Sequence, residues 1–478
     1  MPEESLKNKA KNGLIWSTIE RFGTQGIQFI FGIILARLLS PEDYGVIAMP
    51  MVFLALAQCF IDSGFSSALI RKPELKEEDL STAFYFSILV GLFCYGLLFI
   101  TSPLIAAFYN TPILADILKV TALATLLNPL ATVQQTLLTR DINFKSQTVI
   151  SMTGAILSGI VGIWMAYSGY GVWSLVVQQI GAATIRVVLL WLSVKWRPTA
   201  RWSKESFKYL WGFGSKLLGV SLIDTTYNNI YPLIIGKFYT PQNLGNYTRA
   251  QNFADLPSVN LTGVLQRVTY PVLSTIQNDD ERLAHSYRLV LKLTAYCVFP
   301  LMIGLAAVAD SLIISLLGEK WIGCILFIQL ICFAKVLYPI HAINLNLLAV
   351  KGRSDLFLRL EFIKKGIITI VLMFTIPFGI TCMVAGTIFT SLCCLVVNTF
   401  YTGRMISCGL GVQVRDLLPS FVLSLVMFGV IRLMHIFIEN NLVHLALSII
   451  VGGLVYVGVS YILKMSELKY IIDLIKKK

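Results

Sequence analysis

Apolar runs of about 20 residues recur from one end of the sequence to the other, and they constrain the fold more than any other feature. Of the 478 residues, 56% are hydrophobic and only 14% are charged. Soluble domains carry nearer a quarter charged residues. The strands of a membrane barrel would be about ten residues long and would alternate polar with apolar residues, and these runs do not. The sequence therefore predicts an all-α polytopic membrane protein.

The apolar runs predict about fourteen transmembrane helices. Lys and Arg gather in alternate short loops, as the positive-inside rule requires of cytoplasmic loops. This alternation places both termini in the cytoplasm, and it accounts for the net charge of +13 without nucleic-acid binding. The first run is too long for the apolar core of a signal peptide, so it is expected to remain as a span. The spans are predicted at residues 12–38, 46–70, 80–107, 113–139, 146–168, 172–194, 207–235, 246–273, 286–308, 322–350, 360–378, 380–403, 417–438 and 442–463.

A motif near the start of the chain returns 200 residues later. RLLSPEDYG at residues 37–45 has a counterpart in KFYTPQNLG at residues 237–245, and a weaker echo relates residues 128–138 to residues 338–348. An even number of predicted spans separates the copies, so the repeat is parallel, about an axis along the membrane normal. The predicted organisation is an N-terminal lobe of spans 1–6 (residues 1–195), a cytoplasmic linker (196–206), a C-terminal lobe of spans 7–12 (207–403), and two additional spans with a basic cytoplasmic tail (404–478).

Each copy of the motif has a local structural reason. Ser40 and Thr240 are typical helix-capping residues, and a proline that suits a first helical turn follows each of them. Gly45 and Gly245 permit close approach. These features predict a turn and carry no chemistry.

Polar side chains form stripes on the first, second, seventh and eighth predicted spans. A charge inside a span costs about 2.5–3.5 kcal/mol on insertion scales, so such residues usually face a cavity or a partner. The four stripes predict one water-filled cavity between the two lobes. The alternative is that Glu20 or Asp62 pairs with Arg21 and only locks the first lobe. The stripes comprise Glu20, Arg21 and Gln25; Gln58, Asp62 and Ser66; Lys216, Asp224 and Asn228; and Arg249 and Asp255.

Cationic side chains are expected to make this interior suitable for an anionic headgroup, because Arg grips phosphate in bidentate fashion and Lys acts as a point charge. Lys335 lies close to the middle of the tenth span, whereas Arg186 and Lys292 are expected to extend to the inner surface. The candidate diphosphate- or sugar-binding residues are Arg21, Gln25, Lys216, Asn228, Arg249 and Lys335. The candidate ion-coupling residues or structural pairs are Glu20, Asp62, Asp224 and Asp255.

The sequence carries no sign of catalysis. No loop exceeds roughly fifteen residues, and there is no GxxxxGK[ST], HExxH or GxSxG motif. The nine cysteines are odd in number and show neither CxxC nor Cys/His ligand spacing. We therefore expect a transporter with no catalytic residues, no metal site and no cofactor other than a coupling proton or sodium ion.

The run from Gln25 to Ile70, with GIILARLLSPEDYG and DSGFSSALI, resembles the polysaccharide-transport family of lipid-linked oligosaccharide flippases. Within that family it is similar to the Wzx-type, colanic-acid-exporter-like branch, in the superfamily that also holds multidrug extruders. The resemblance implies an inner-membrane protein that moves an undecaprenyl-diphosphate-linked repeat unit to the periplasmic leaflet by alternating access. The product would be exopolysaccharide, capsule or O-antigen. The implied partners are that lipid, the bilayer and other polysaccharide-assembly proteins.

Two alternatives stay open at this point. An ion-coupled extruder of drugs or organic cations could share the fold, and it would need an acidic, aromatic pocket. Arg21 and Lys335 count against it unless both are paired or face lipid. A membrane enzyme such as a polysaccharide polymerase would need a large outer loop with catalytic groups, and the sequence has none.

Overall fold

All regular structure in the described part of the chain is helical, as the sequence predicts. The computed structural model describes the backbone of residues 3–476 and the side chains of residues 16–267, 269–473 and 476. The last two lysines of the predicted basic tail lie outside these residues. The chain divides into two compact units, Met1–Gly245 and Asn246–Lys478. This division follows contacts, whereas the predicted lobes rest on the sequence repeat, so the lobe boundaries stay a prediction.

The first unit is a bundle of long helices that are interrupted by short breaks. Its last helix, α12, begins four residues before the unit ends and continues into the second unit. The helices are α1 (Glu3–Leu38), α2 (Pro41–Ala48), α3 (Met51–Asp62), α4 (Phe65–Arg71), α5 (Glu77–Phe108), α6 (Leu114–Thr121), α7 (Ala124–Arg140), α8 (Phe144–Tyr167), α9 (Trp173–Ser193), α10 (Lys204–Asn228), α11 (Ile230–Phe238) and α12 (Pro241–Thr275).

The second unit has the same character. Short 3₁₀ turns at Glu319–Trp321 and Ile376–Phe378 join neighbouring helices. The helices are α13 (Asp280–Ala307), α14 (Ala309–Leu316), α15 (Ile322–Lys335), α16 (Tyr338–Val350), α17 (Ser354–Thr375), α18 (Ile380–Ile406), α19 (Leu410–Phe437), α20 (Asn441–Ile462) and α21 (Ser466–Lys476).

Ten helical segments among the described residues are long and apolar enough to cross a membrane. They coincide with ten of the predicted spans. The predicted spans 1, 7, 8 and 11 coincide with other long helical segments, which are more polar: α1, α10 with α11, α12, and α17. Three of these four carry polar stripes. The count of fourteen crossings therefore stays a prediction, and the more polar helices are those to which the sequence assigns a cavity.

Exposed apolar side chains recur along the long helices of both units. Leu104 is 70% exposed, Leu192 is 77% exposed and Phe437 is 82% exposed. Soluble proteins rarely expose large contiguous apolar patches, because water penalises them. In a bilayer, by contrast, such side chains face lipid. The chain is therefore a multi-pass membrane protein.

The repeated motif forms the capped turns that the sequence predicts. Ser40 Oγ accepts a hydrogen bond from the Asp43 backbone N–H at 3.2 Å, and the Asp43 carboxylate accepts one from the Ser40 N–H at 2.9 Å, which is a complete capping box. In the second copy, Thr240 Oγ1 accepts from the Asn243 N–H at 3.3 Å.

The two motif glycines pack reciprocally. A methyl group at Gly45 would overlap the carbonyl oxygen of Pro241, and one at Gly245 would overlap the carbonyl oxygen of Pro41. The predicted close approach is confirmed, and the approaching group is in each case the backbone of the opposite copy of the motif.

Candidate functional site

The second predicted span is interrupted where its polar stripe reaches Asp62. Helix α3 ends at Asp62 and α4 begins at Phe65. Between them, Ser63 and Gly64 both have left-handed backbone conformations, with φ of 39° and 69°. Two such residues in succession end the helical hydrogen-bond ladder. Broken helices at membrane depth are tolerated where they are buried in protein or line a cavity.

A chain of hydrogen bonds links Asp62 to Arg186 through two amides. Gln58 Nε2 donates to Asp62 Oδ1 at 3.0 Å, and Asn128 Nδ2 donates to Gln58 Oε1 at 2.7 Å. Arg186 Nη2 donates to Asn128 Oδ1 at 2.8 Å. Each amide therefore donates toward the carboxylate and accepts from the side of the guanidinium. The two amides therefore orient the carboxylate and the guanidinium without a direct hydrogen bond between the two charged groups.

This chain lies in a cavity of about 410 Å³ that the first unit encloses on several sides. The volume falls within the range of about 300–1,000 Å³ that is usual for small-molecule sites. Helices α3, α4, α7 and α9 supply its walls. The lining residues are Gln58, Asp62, Ser66, Ile70, Asn128, Ala131, Thr132, Gln135, Thr136, Thr139 and Arg186.

Packing around α7 holds the cavity wall in place. Trp191 Nε1 on α9 donates to the carbonyl oxygen of Leu130 at 2.8 Å, which fixes the two helices against each other. On the opposite side, a methyl at Gly91 of α5 would overlap the backbone of Thr125, so α5 and α7 are in direct backbone contact. Arg140 at the end of α7 donates to the carbonyl oxygens of Leu69, Lys72 and Pro73 at 2.7–2.8 Å and so fixes the end of α4.

The expectation that Arg186 extends to the inner surface is wrong. Its guanidinium is held by Asn128 inside the first unit and lines the cavity that Asp62 also lines. The guanidinium has a hydrogen-bond acceptor in Asn128 and a carboxylate in the same cavity, so it does not need to reach the end of its helix to have polar partners. Arg186 and Asn128 are the residues that sequence reasoning missed. The sequence signal for this site is the polar spacing of Asn128, Thr132, Gln135 and Thr139 along one helix.

The first-span stripe lies on α1, which packs along α8. Ser151 Oγ donates to Glu20 Oε1 at 3.1 Å, so Glu20 has a neutral partner from α8. Arg21 and Gln25 are half-buried on the same helix. Nothing in the structure tests the binding roles of these two residues, and those roles stay predictions.

The seventh-span stripe lies on α10, which packs against α3, α4 and α5 in the first unit. Lys216 and Asn228 are exposed, and Asp224 is half-buried. Thr225, next to Asp224, lies 3.0 Å from Cys59 Sγ of α3. One face of the stripe is therefore taken up by packing, and Lys216 and Asn228 remain accessible for binding.

In the second unit, Lys335 and Asp255 form an ion pair and a hydrogen bond. Their side chains are 25% and 33% exposed, so the pair is reachable from outside the protein interior. The guanidinium of Arg249, which is also on α12, lies 5.9 Å from the centre of the Trp321 ring. Of the candidate cations in this unit, Lys335 is thus committed to a carboxylate and Arg249 is placed over an aromatic face.

Two other cations of the second unit share one carboxylate. Arg288 binds Asp416 with two hydrogen bonds, at 2.6 and 2.8 Å, and Lys292 lies 3.3 Å from the same group. Lys292, which is expected to extend to the inner surface, reaches Asp416 at the end of the predicted cytoplasmic loop and so joins α13 to α19. Nearby, Asn344 and Gln413 are fully buried and bonded to each other at 3.1 Å, with the Thr402 hydroxyl also in contact.

The family of the chain follows from its sequence. A family model described as "Polysaccharide biosynthesis protein" matches residues 34–326, which is more than half of the chain and includes every wall of the cavity. The chain belongs to this family. The resemblance inferred from the second-span motifs is therefore confirmed.

Two relatives illustrate the range of the family. The lipopolysaccharide biosynthesis protein WzxC of Escherichia coli (strain K12) is 26% identical over 75% of this chain and 74% of its own length. The succinoglycan biosynthesis transport protein ExoT of Rhizobium meliloti (strain 1021) is 26% identical over 67% of this chain and 65% of its own length.

Solved structures share the fold. The lipid II flippase MurJ, in an inward closed conformation, superposes with a TM-score of 0.73 at 19% identity and covers 94% of this chain and 98% of MurJ. An inward-facing multidrug resistance transporter of the MATE family superposes with a TM-score of 0.63 at 15% identity, covering 83% and 98%. The chain therefore shares the all-helical fold of these two proteins.

Proposed function

We propose that the chain is a flippase that moves an undecaprenyl-diphosphate-linked oligosaccharide repeat unit from the cytoplasmic to the periplasmic leaflet of the bacterial inner membrane. Its membership of the polysaccharide biosynthesis family carries this proposal. Relatives that are named for lipopolysaccharide biosynthesis and succinoglycan transport, and a fold shared with a lipid II flippase, support it. Both termini lie in the cytoplasm in this proposal, following the distribution of Lys and Arg.

The diphosphate is the part of the substrate that the cations recognise. Arg21 is the primary ligand because a guanidinium matches the bidentate geometry of a phosphate, and exposed Lys216 adds a point charge. Gln25 and Asn228 donate amide hydrogen bonds to the same headgroup. Arg249 remains a further ligand from α12. The polyprenyl tail stays in lipid, so no long apolar tunnel is required.

Lys335 can bind the diphosphate only when it leaves Asp255. Binding of the diphosphate is therefore coupled to binding of a proton or a sodium ion at Asp255. Protonation of Asp255, or sodium bound in place of the ammonium, removes the negative partner and frees Lys335 for the phosphate. Glu20 and Asp224 are the other carboxylates proposed for a coupling ion; Asp62 is not among them, because it lines the same cavity as the cationic Arg186. An inside-negative potential also favours outward movement of the diphosphate, by about 2.3 kcal/mol per charge per 100 mV.

The deciding experiment is lipid mass spectrometry on a strain that lacks the chain, with separate detection of sugar exposed on each leaflet. We expect a polyprenyl-diphosphate oligosaccharide to accumulate facing the cytoplasm. Restoring the wild-type chain should clear it. If no such lipid accumulates, the proposed function is wrong.

Complementation by variants tests the diphosphate ligand. Arg21→Ala should fail to clear the lipid at normal protein level, and Arg21→Lys should clear part of it. Arg37→Ala is the matched control, because Arg37 lies on the same helix but is exposed at its end. Full clearance by Arg21→Ala would remove Arg21 from the site.

Topology can be measured independently with Glu42→Cys in a chain whose nine native cysteines are replaced. A membrane-impermeant maleimide should label this position from the periplasm only. Labelling from the cytoplasm would reverse the proposed orientation.

A second function, extrusion of drugs or organic cations, is favoured by one observation. The ion pair between Lys335 and Asp255 neutralises one of the two cations that argue against it. An extruder predicts that the deletion strain is sensitive to organic cations such as ethidium and accumulates no lipid-linked sugar. The lipid measurement above therefore separates the two functions.

A further inference from the structure

The cavity of the first unit holds one carboxylate and one guanidinium that are kept apart. Asp62 uses Oδ1 to accept from Gln58, and Arg186 uses Nη2 to donate to Asn128. Among the described residues, no direct ion pair joins the two. Asp62 Oδ2 and Arg186 Nη1 make no other hydrogen bond within that part of the structure. The two amides hold Asp62 and Arg186 in place through one atom of each. The other carboxylate oxygen and the other terminal nitrogen line the cavity as an acceptor and a donor.

This arrangement discriminates against ions. A sodium ion at Asp62 would be repelled by Arg186, and a phosphate at Arg186 would be repelled by Asp62. Both charges act on any ion that enters, because both side chains line the same cavity. The lining carries no net charge, since these are its only charged side chains. A neutral ligand with both donors and acceptors avoids either repulsion.

The rest of the lining matches hydroxyl groups. Thr132, Thr136 and Thr139 donate their hydroxyl hydrogens to carbonyl oxygens of their own helix, at 3.1, 2.7 and 2.9 Å. The oxygens of Thr132 and Thr136 can therefore act as acceptors, and the Thr139 oxygen already accepts from Gln147 Nε2 at 3.0 Å. Gln135 adds an amide with both polarities, and Ser66 adds a hydroxyl on the opposite wall. A polyol, whose every hydroxyl both donates and accepts, is complementary to such a surface.

We propose that this cavity binds a neutral sugar residue of the glycan, with adjacent hydroxyls donating to Asp62 and accepting from Arg186. The inference rests on the proposed function for the source of the glycan, and it goes further in assigning the sugar to the first unit and to residues apart from the diphosphate ligands. The cavity extends along α7 from Asn128 to Thr139, about 16 Å at 1.5 Å per residue. That length suits more than one sugar ring in line. The end at Thr139 adjoins Arg140 and is cytoplasmic in the proposed orientation.

Protection of a cysteine inside the cavity tests this directly. In a cysteine-free chain, Ser66→Cys is labelled with a small maleimide, and the labelling rate is measured with added oligosaccharide. The probe is the oligosaccharide fraction from partial acid hydrolysis of the host's own surface polysaccharide. Potassium pyrophosphate and sodium chloride serve as competing probes. Thr184→Cys is the control, because Thr184 lies on α9 two residues from Arg186 but is exposed outside the cavity lining.

We expect the oligosaccharide to slow labelling of Ser66→Cys at least tenfold and to leave Thr184→Cys unchanged. Adding Asp62→Asn or Arg186→Met should raise the half-protecting concentration roughly tenfold or more, as loss of a hydrogen bond to a charged group does. Thr132→Val keeps the side-chain shape and should raise it less. This near-isosteric variant keeps the test valid if Arg186→Met fails to fold, which size-exclusion chromatography detects.

The proposal is overturned if the oligosaccharide gives no protection, if pyrophosphate or sodium protects in its place, or if none of the three variants changes the half-protecting concentration. Failure of the proposed function would appear in the deletion strain and not in the protection assay. A deletion strain without lipid-linked oligosaccharide, combined with intact protection by the saccharide, would refute the flippase and keep the sugar site. Accumulated lipid with no protection would refute the sugar site alone.

Discussion

Replacing Gly45 with alanine should destabilise the protein through a single backbone contact. The added methyl would overlap the carbonyl oxygen of Pro241, and a backbone carbonyl at the start of a helix cannot rotate away as a side chain can. Overpacking of this kind typically costs about 1–3 kcal/mol, and a backbone neighbour favours the upper end. Alanine regains about 1 kcal/mol of helix propensity relative to glycine. The net expected loss is therefore about 2 kcal/mol.

The nine free cysteines supply the assay. Five of them are buried (Cys94, Cys324, Cys332, Cys394 and Cys408), so a thiol-reactive dye reports their exposure as the detergent-purified protein is heated. A loss of about 2 kcal/mol should lower the Tm by roughly 4–8 °C, by analogy with soluble domains of 150–250 residues.

Gly26→Ala on α1 is the matched control for this prediction. No atom outside its own helix turn lies within 4 Å of the added methyl, so it should leave the Tm unchanged or raise it. Equal Tm values for the two variants would refute the reciprocal glycine contact.

Three further predictions follow from the contacts at single residues. Lys335→Met should lower stability by about 1–2 kcal/mol, a discounted value for a partly exposed pair, and adding Asp255→Asn should restore it; a double variant that stays as unstable would show that the pair is not the cause. Arg140→Lys cannot reproduce three hydrogen bonds to backbone carbonyls, so it should cost about 1–3 kcal/mol in thermal unfolding, and an unchanged Tm would contradict this. Gly214→Ala would overlap a backbone carbonyl at the break between α3 and α4, so it should reduce lipid clearance in the complementation assay, whereas Gly212→Ala, with open space around it, should not.

The helix boundaries could be predicted from the sequence because a bilayer imposes a length and a polarity on each span. The ten apolar segments begin and end within seven residues of the predicted positions. The break after Asp62 could not be predicted in the same way. Gly64 tolerates a left-handed conformation in many contexts, but Ser63 adopts one only because tertiary packing imposes it. Residues 46–70 together have the length of one span, so span length predicts a single helix across the break.

The contacts of the candidate site were less predictable than its composition. Sequence periodicity places polar residues on one face of a helix, and it did so for Gln58 and Asp62. It does not say which helix that face meets. Arg186 donates a hydrogen bond to Asn128, which is 58 positions away in the chain. Lys335 pairs with Asp255, which is 80 positions away. Such partners depend on how helices are arranged, so Arg186 was assigned to the surface and Lys335 to the substrate.

The weak echo between residues 128–138 and 338–348 gains meaning from what each copy does with its polar side chains. In the first unit, this stretch of α7 directs Asn128 and Thr132 into an open cavity. In the second unit, the same stretch of α16 buries Asn344 in a closed set of hydrogen bonds with Gln413. A buried polar network whose members satisfy one another rigidifies the helices that carry it, and it leaves little for a ligand to bind. The sequence echo therefore falls on two helices whose polar groups are used differently: among the described residues, α7 lines a cavity with Asn128 and Thr132, whereas Asn344 of α16 lies in a closed network.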